Sequence, residues 1–397
     1  MSSRNIDEIS KQYLNNWSVC SSGHPDLYIP FFEIGLKNLK NNGRLGFITM
    51  NTFFKSINGR ALRQYIQENQ FKLRIVDFGG TQIFNSKSTY TCICLFQNCK
   101  AAEVEYTRTN QPFSISSKMN FFLKVDYGEL DSYNGWNLQN STLINKIETI
   151  GTPLGKKFKT RNGIATLKND VYIFDPVDED RNYYYLQNGS IYPIEKEACK
   201  EIINTNKLTK IDCIQSIKMK IIFPYYYEGD DIKLISESQF RREYPFAYKY
   251  LKSRQDILST RDKGNGQYKK WYAYGRNQSL EKSRHKLFFP HIASNIPHYI
   301  INNDENLLFH NGMAIIGEND LELFFLKKIL SSRLFWFYII NSSKPYGSGY
   351  FSLSRNYIKN FGLYPFSNAD INYLINETDK EQVDSFIESK YEIKLNL

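Results

Sequence analysis

The chain has 397 residues, 41% of them hydrophobic and 15% aromatic, with 51 Lys and Arg against 41 Asp and Glu for a formal net charge of +10. That length and apolar content suffice for two or three domains with a substantial core and exclude a disordered chain. The positive balance is clustered, which favours a polyanionic partner, nucleic acid or a membrane surface.

Against the membrane, the N-terminal segment has no signal-peptide apolar core, and neither a lipidation signal nor a basic amphipathic helix is found. The six cysteines include no C-x-x-C pair and the five histidines stand at no metal-ligand spacing. Reduced thiols in a cytoplasm, without structural zinc or another metal, are expected.

His24-Pro25-Asp26 supplies a helix start, with Pro30 in the first turn, where its missing N–H matters least. Leu27, Phe31, Phe32, Ile34, Leu36 and Leu39 then form a broad apolar face that Asn42-Gly43 ends. Residues 45–50 are too few for a helix and apolar nearly throughout, which predicts a strand buried on both faces. Asn58-Gly59 open a second helix through Leu62, Tyr65 and Ile66. Strands follow at 73–78 and 90–96, antiparallel neighbours separated by Gly79-Gly80 and a polar loop. This order is that of the second half of a doubly wound α/β sheet, without the glycine-rich nucleotide turn of the first half. Alone, the 45–50 strand would leave an open parallel edge, a feature that proteins normally cover.

Residues 100–150 turn polar and mixed, with a connecting helix at 141–150. The division expected is an α/β half-domain at 1–125, a linker at 126–150, an irregular α+β module at 151–366 and an acidic, helical tail at 367–397. In the third unit short strands are expected at 171–174, 221–227, 286–289, 298–301 and 313–317. A buried amphipathic helix capped by Asp320 should run over 321–340, before a glycine-rich turn at 346–350.

The stretch 240–291 carries thirteen Lys or Arg and four Asp or Glu, nearly the whole net charge of the chain. Tyr244, Phe246, Tyr248, Tyr250, Tyr268, Trp271, Tyr272 and Tyr274 are interleaved with them. Guanidinium forks, ammonium charges and flat rings on one surface suit phosphate and bases together. The competing reading is a solvated helical face with lysine stems lying over tyrosines, and charge alone does not separate the two.

Catalytic signatures are sparse. Glu388-Ser389-Lys390 and Glu392-Ile393-Lys394 match the short half of a nuclease motif but lack a strand-borne acid before them, so a solvated helix face is the better reading. The loop 83–90 is more informative, because it places a ring, an amide and hydroxyls at the strand ends where α/β clefts form. Phe84 is the pointed residue there; burial frequencies alone favour a phenylalanine tucked beneath the hairpin.

The runs at 26–66 and 75–96 (IVDFGGTQIFNSKSTYTCICLF) resemble the portion of gamma-class adenine-N6 DNA methyltransferases that follows their Asn-Pro-Pro-Tyr motif. RNGIATLKNDVYIF (161–174), KWYAYGRNQSL (270–280), NGMAIIG (311–317) and KPYGSGYFSLSRNYIKNFGLYP (344–365) resemble the TaqI-like specificity domain that accompanies such methyltransferases in type II restriction-modification enzymes with fused activities. The likeness spans about 26–365. It implies a partial Rossmann-like methyltransferase half-domain followed by a target-recognition domain, in a bacterial cytoplasm.

The Asn-Pro-Pro-Tyr tetrapeptide, the cofactor turn and the early acidic residue do not occur in this sequence. The resemblance therefore implies S-adenosylmethionine only in assembly with a complementing N-terminal methyltransferase subunit, and none bound by this chain alone. It implies that Phe84 stacks on a flipped adenine, with Lys87 and Thr89 beside it at the DNA backbone. Arg161, Asn162, Thr166, Lys168 and Asn169 fall in the first recognition motif. Lys269, Lys270, Trp271, Tyr274, Arg276, Asn277 and Lys282 fall in or beside the second, against double-stranded DNA. A DNA-specificity protein without catalysis is the alternative of a different class.

Overall fold

Two short helices lead the chain into its first sheet in the computed structural model, which describes residues 6–84, 89–109, 121–229, 231–346 and 349–395. These are α1 (Glu8–Leu14) and α2 (Ile29–Lys37), the second with Pro30 in its first turn as expected. α2 stops at Asn38, short of Asn42-Gly43, and left-handed Asn42 (φ 61°) turns the chain into β1 (Arg44–Met50). α3 (Arg60–Asn69), β2 (Phe71–Gln82) and β3 (Tyr90–Lys100) follow, then β4 (Glu103–Arg108) and β5 (Leu123–Asp126).

The five strands form one sheet in the order β1-β3-β2-β4-β5. β3 lies antiparallel between β1 and β2, β4 is parallel to β2, and β5 is antiparallel to β4. β1, β2 and β4 consequently end at one carboxyl edge. α2 and α3 cover one face. Phe32 meets Phe47 at 5.2 Å and Phe96 at 5.9 Å, both edge-on, and Leu62 and Ile66 are fully buried. Burial of such side chains stabilises by roughly 1.5–3 kcal/mol each.

The other face corrects the expectation for β1. Leu45 and Phe47 pack against the helices, but Ile48 is 53% exposed and Leu95 of β3 44% exposed. Among the described residues β1 pairs only with β3, so one ladder edge and one apolar face are uncovered. The strand has the composition of a sheet interior and the position of a sheet edge.

Tyr127, Leu130, Trp136 and Leu138 belong to the first core, so the first module runs past 125. Helix α4 (Ser141–Thr149) gives Ile144 and Ile147 to the second core, together with Leu287, Met313, Ile329, Tyr338 and Ile387. The second module holds two four-stranded sheets. In one, Lys286–Pro290 pairs with Ile300–Asn302 and Gly312–Ile316, and the latter with Lys159–Asn162. In the other, Cys199–Asn204 lies between Leu308–His310 and Lys218–Ile222.

Several sequence expectations are revised here. Residues 169–172 form a helical turn before a two-residue strand at Ile173–Phe174. The run 221–227 breaks at Pro224, which has no ladder donor, into Lys218–Ile222 and Tyr225–Glu228. The helix expected at 321–340 is two, Asp320–Leu330 and Arg333–Ser342, because the Ser332 side chain caps Phe335 N at 3.1 Å and restarts it. Its first cap is Asn319, while Asp320 holds His285 Nδ1 at 2.7 Å. The acidic tail is part of the fold, with Asn368–Asn376 and Lys380–Tyr391 inserting Leu374, Ile387 and Tyr391 into the main core. Glu388 lies on no solvated face; it is buried and takes Arg333 Nε at 2.7 Å. No helix among the described residues is long and apolar enough to cross a membrane.

Candidate functional site

The carboxyl edge of the first sheet opens into a cleft whose opposite wall is the second module. Asn51 follows β1, Asp77 and Gly79 lie late in β2 and Arg108 ends β4, while Asn341, Ser343, Lys344, Pro345 and Phe351 stand across from them. Asp77 organises this edge. Its Oδ1 accepts from Asn51 Nδ2 at 2.7 Å and Gly79 N at 2.9 Å, and its Oδ2 from the Tyr106 hydroxyl at 2.9 Å. Burial, then the Asp77 charge, push the Tyr106 hydroxyl well up, so it serves as a donor. Gly79 is left-handed (φ 57°), and a Cβ there would meet the Arg108 guanidinium at 2.5 Å. The turn thus needs glycine on both counts.

Two further groups mark the cleft as polar at depth. Asn51 Oδ1 and Ser343 Oγ are buried without a hydrogen-bond partner. Lys55 bridges the modules, donating to Asn137 Oδ1 and to Asn341 O at 2.8 Å. Burial pulls its ammonium down to about 7.

Phe84 stands just beyond β2 with 44% of its surface exposed, and it is absent from the side chains that line the cleft. Thr89 is half-buried before β3, and Lys87 falls outside the described residues.

The recognition candidates gather elsewhere, on the second module, where two motifs more than a hundred residues apart are laced together. Gly275 N and Arg276 N donate to Thr166 O and Ala165 O at 3.1 Å each. Gln278 Nε2 donates to Gly163 O at 2.6 Å, Ser279 Oγ to Asn162 O, and Arg161 pairs with Glu281. Two of the expected contact residues are instead structural. Thr166 is fully buried, donating to Asn169 Oδ1 at 2.6 Å and capping Lys168 N at 3.0 Å. Tyr274 is buried with its hydroxyl on Ile222 O at 2.6 Å. Asn169 also faces the His310 ring at 3.4 Å.

Trp271 is half-buried, its indole N–H on Glu237 Oε1 at 3.0 Å. Tyr250, Tyr272 and Tyr274 are core residues, Phe246 is exposed and the other rings of this stretch are half-buried, while most of its cations point out and Arg261 and Lys286 are buried. Asn162, Lys269, Lys270, Arg276, Asn277 and Lys282 are exposed and Lys168 is half-buried. A groove beside Tyr225 and Leu234 collects Lys269, Arg276 and Asn277.

Sequence reasoning passed over Asn51, Lys55, Asp77, Tyr106 and Lys344. The available signal was positional, since Asn51 directly follows one predicted strand and Asp77 immediately precedes Phe78 and Gly79-Gly80 at the end of the next.

Set beside known proteins, residues 1–84 match the family model of the Eco57I restriction-modification methylase. The chain is 28% identical over 342 residues to the Type II restriction enzyme and methyltransferase RM.Eco57I of Escherichia coli, a match covering 79% of this chain and 34% of that protein. It is 23% identical over 363 residues to the Type II methyltransferase M.BstVI of Geobacillus stearothermophilus, covering 84% and 60%. The solved structure of the Type IIL restriction-modification enzyme MmeI in complex with DNA aligns with a TM-score of 0.54 at 13% identity, over 93% of this chain and 49% of that one, a likeness of fold. The homologues are Type II restriction-modification methyltransferases, and this chain spans about a third of the first and about 60% of the second.

Proposed function

We propose that this chain is the DNA-recognition and base-flipping half of a site-specific adenine-N6 DNA methyltransferase of a bacterial restriction-modification or phage-defence system. Its first module is then a partial Rossmann-like catalytic domain, and residues 151–366 a TaqI-like target-recognition domain, working in the bacterial cytoplasm. The observation that carries this reading is the cleft. Doubly wound folds take their ligands at the carboxyl edge of the sheet. Here that edge faces the second module, and Phe84 is exposed past the end of β2.

The strand-end acid of the cleft, Asp77, already accepts from Asn51, Gly79 and Tyr106, which commits its carboxylate to the scaffold rather than to the ribose of S-adenosylmethionine. The uncovered edge and face of β1 call for a complementing segment, in another subunit or elsewhere in a longer polypeptide, and the cofactor belongs to that segment. What this chain contributes is the duplex grip, through Arg161, Asn162, Lys168, Lys269, Lys270, Arg276, Asn277 and Lys282, and the Phe84 ring for an extruded base.

The test is to mix the chain with the cofactor-binding half of a Type II relative and follow labelled methyl transfer to duplex DNA. Neither half should methylate alone, and the pair should. Duplex binding with no methylation in any mixture would favour the alternative, a DNA-specificity protein without catalysis.

A further inference from the structure

The cations of the laced strip are held by carboxylates. Arg276 clamps Asp262 with a two-pronged fork, Nη1 to Oδ2 at 2.8 Å and Nη2 to Oδ1 at 2.9 Å, the geometry a guanidinium also uses on phosphate. Arg161 pairs with Glu281, and Lys282 Nζ meets Glu305 Oε1 at 3.1 Å. All three pairs lie along one short segment, 276–282, and its contacts with 161–166.

Asp262 is held in place by unusual means. Asp262 and Lys263 are both left-handed, with φ 49° and 59°, ahead of Gly264 at φ 81°. Two consecutive side-chain-bearing residues rarely adopt that backbone without a purpose. The buried Arg261 guanidinium pins the turn to Leu258 O, Trp271 O and Ala273 O, and the Tyr268 hydroxyl donates to Asp262 Oδ2 at 2.8 Å. Arg276, then Tyr268, hold the Asp262 carboxyl at about 2, so it is charged at any working pH. Exposed ion pairs add little to stability, so the Arg276–Asp262 and Lys282–Glu305 pairs have no strong structural reason, while the Arg161 side chain is only 14% exposed beside an exposed Glu281.

We infer that Asp262, Glu281 and Glu305 are built-in phosphate surrogates that set sequence discrimination, occupying Arg276, Arg161 and Lys282 until a duplex displaces them. The inference rests on the reading of this face as the DNA interface. A non-specific duplex offers only phosphates, and exchanging a carboxylate for a phosphate at the same cation gains little. A cognate duplex adds base-edge contacts that the carboxylates cannot imitate. The three acids therefore suppress non-specific affinity more than specific affinity.

The experiment uses the full chain with Asp262→Asn, Glu281→Gln and Glu305→Gln, singly and combined, titrated onto a labelled duplex of arbitrary sequence over a salt series. Asp262→Asn should tighten binding about threefold to fivefold. The triple variant should tighten it further, with the slope of log affinity against log salt steepening by about 0.9 for each newly available cation. Wild-type binding that none of the substitutions changes would overturn the surrogate role while leaving the interface intact. No duplex binding by wild type or triple variant, even at low salt, would overturn both. If Asp262→Asn lowers the melting temperature by loosening its turn, Glu305→Gln decides the matter, because among the described residues Lys282 is the hydrogen-bonded partner of the Glu305 side chain and no turn depends on it.

Discussion

Asn51 and Asp77 meet at 2.7 Å where β1 and β2 reach the same edge of the sheet. The contact joins two strands separated by an antiparallel third, and Tyr106 of β4 closes the group from the other side at 2.9 Å. A carboxylate accepting three internal hydrogen bonds is part of the scaffold of the cleft. Asp77→Ala would leave the Asn51 amide, Gly79 N–H and Tyr106 hydroxyl without their acceptor. It should lower the unfolding free energy by about 2–4 kcal/mol in denaturant titration, the cost of stranded buried donors. A loss below about 0.5 kcal/mol, the range of a surface substitution, would mean that the group is not buried in solution.

Lys55 predicts a pH dependence with a definite sign. Its ammonium falls from the ordinary 10.5 to about 7 on burial, so between those values the unfolded chain holds a proton that the folded chain has released. Stability therefore rises with pH across that window. In a comparison of wild type with Lys55→Met, where other titrations cancel, the wild type should gain stability relative to the variant from about pH 7 to about pH 10. A flat difference would place the ammonium in water.

The exposed outer face of β1 and β3 predicts a seam. Ile48 and Leu95 are exposed, so replacing both with lysine should change the stability of the isolated chain by less than about 0.5 kcal/mol for each substitution. The same double variant should fail to co-purify with a complementing methyltransferase half. Assembly and methylation at wild-type levels would show that the seam lies elsewhere.

For Phe84, stacking on an unpaired base restores roughly 1–3 kcal/mol, comparable with the cost of extrusion. Phe84→Ala in the reconstituted enzyme should reduce 2-aminopurine fluorescence at the target position and slow methylation. Duplex affinity should stay nearly unchanged, and so should the melting temperature, because the ring is 44% exposed. Normal probe extrusion would remove Phe84 from the mechanism.

At the far end of the chain, Glu388 joins Arg333 Nε at 2.7 Å with its side chain only 8% exposed. Arg333 keeps 24% of its side chain exposed and Glu381 as a second partner, so the substitution does not strand a buried charge. Glu388→Ala should destabilise the second module by about 1–3 kcal/mol on calorimetric unfolding, the cost of a lost hydrogen bond between charged groups. Truncation after Ser367 should prevent that module from folding, since Leu374, Ile387 and Tyr391 leave its core. A soluble, cooperatively melting truncated protein would contradict the packing.

Local pattern was sufficient where the determinant is local. Pro30 before an apolar period, Asn58-Gly59 before another and the short apolar run in β1 placed α2, α3 and β1, because periodicity and turn chemistry act over a few residues, whereas β2 runs through Gly79-Gly80 to Gln82 and β4 and β5 fall in a stretch that reads as polar and mixed. The interleaved cations and rings of 240–291 were legible as composition only. Trp271 and Tyr274 look alike among their lysines, yet Tyr274 is locked onto Ile222 O while Lys269 and Lys270 face solvent. Side-chain direction in an irregular segment follows no period, so burial there is decided by what packs against it. The same holds for the Asp77 cluster, the Lys55 bridge and the Arg276–Asp262 clamp. Each joins residues distant in sequence, and only the folded backbone brings their polar atoms within hydrogen-bonding distance.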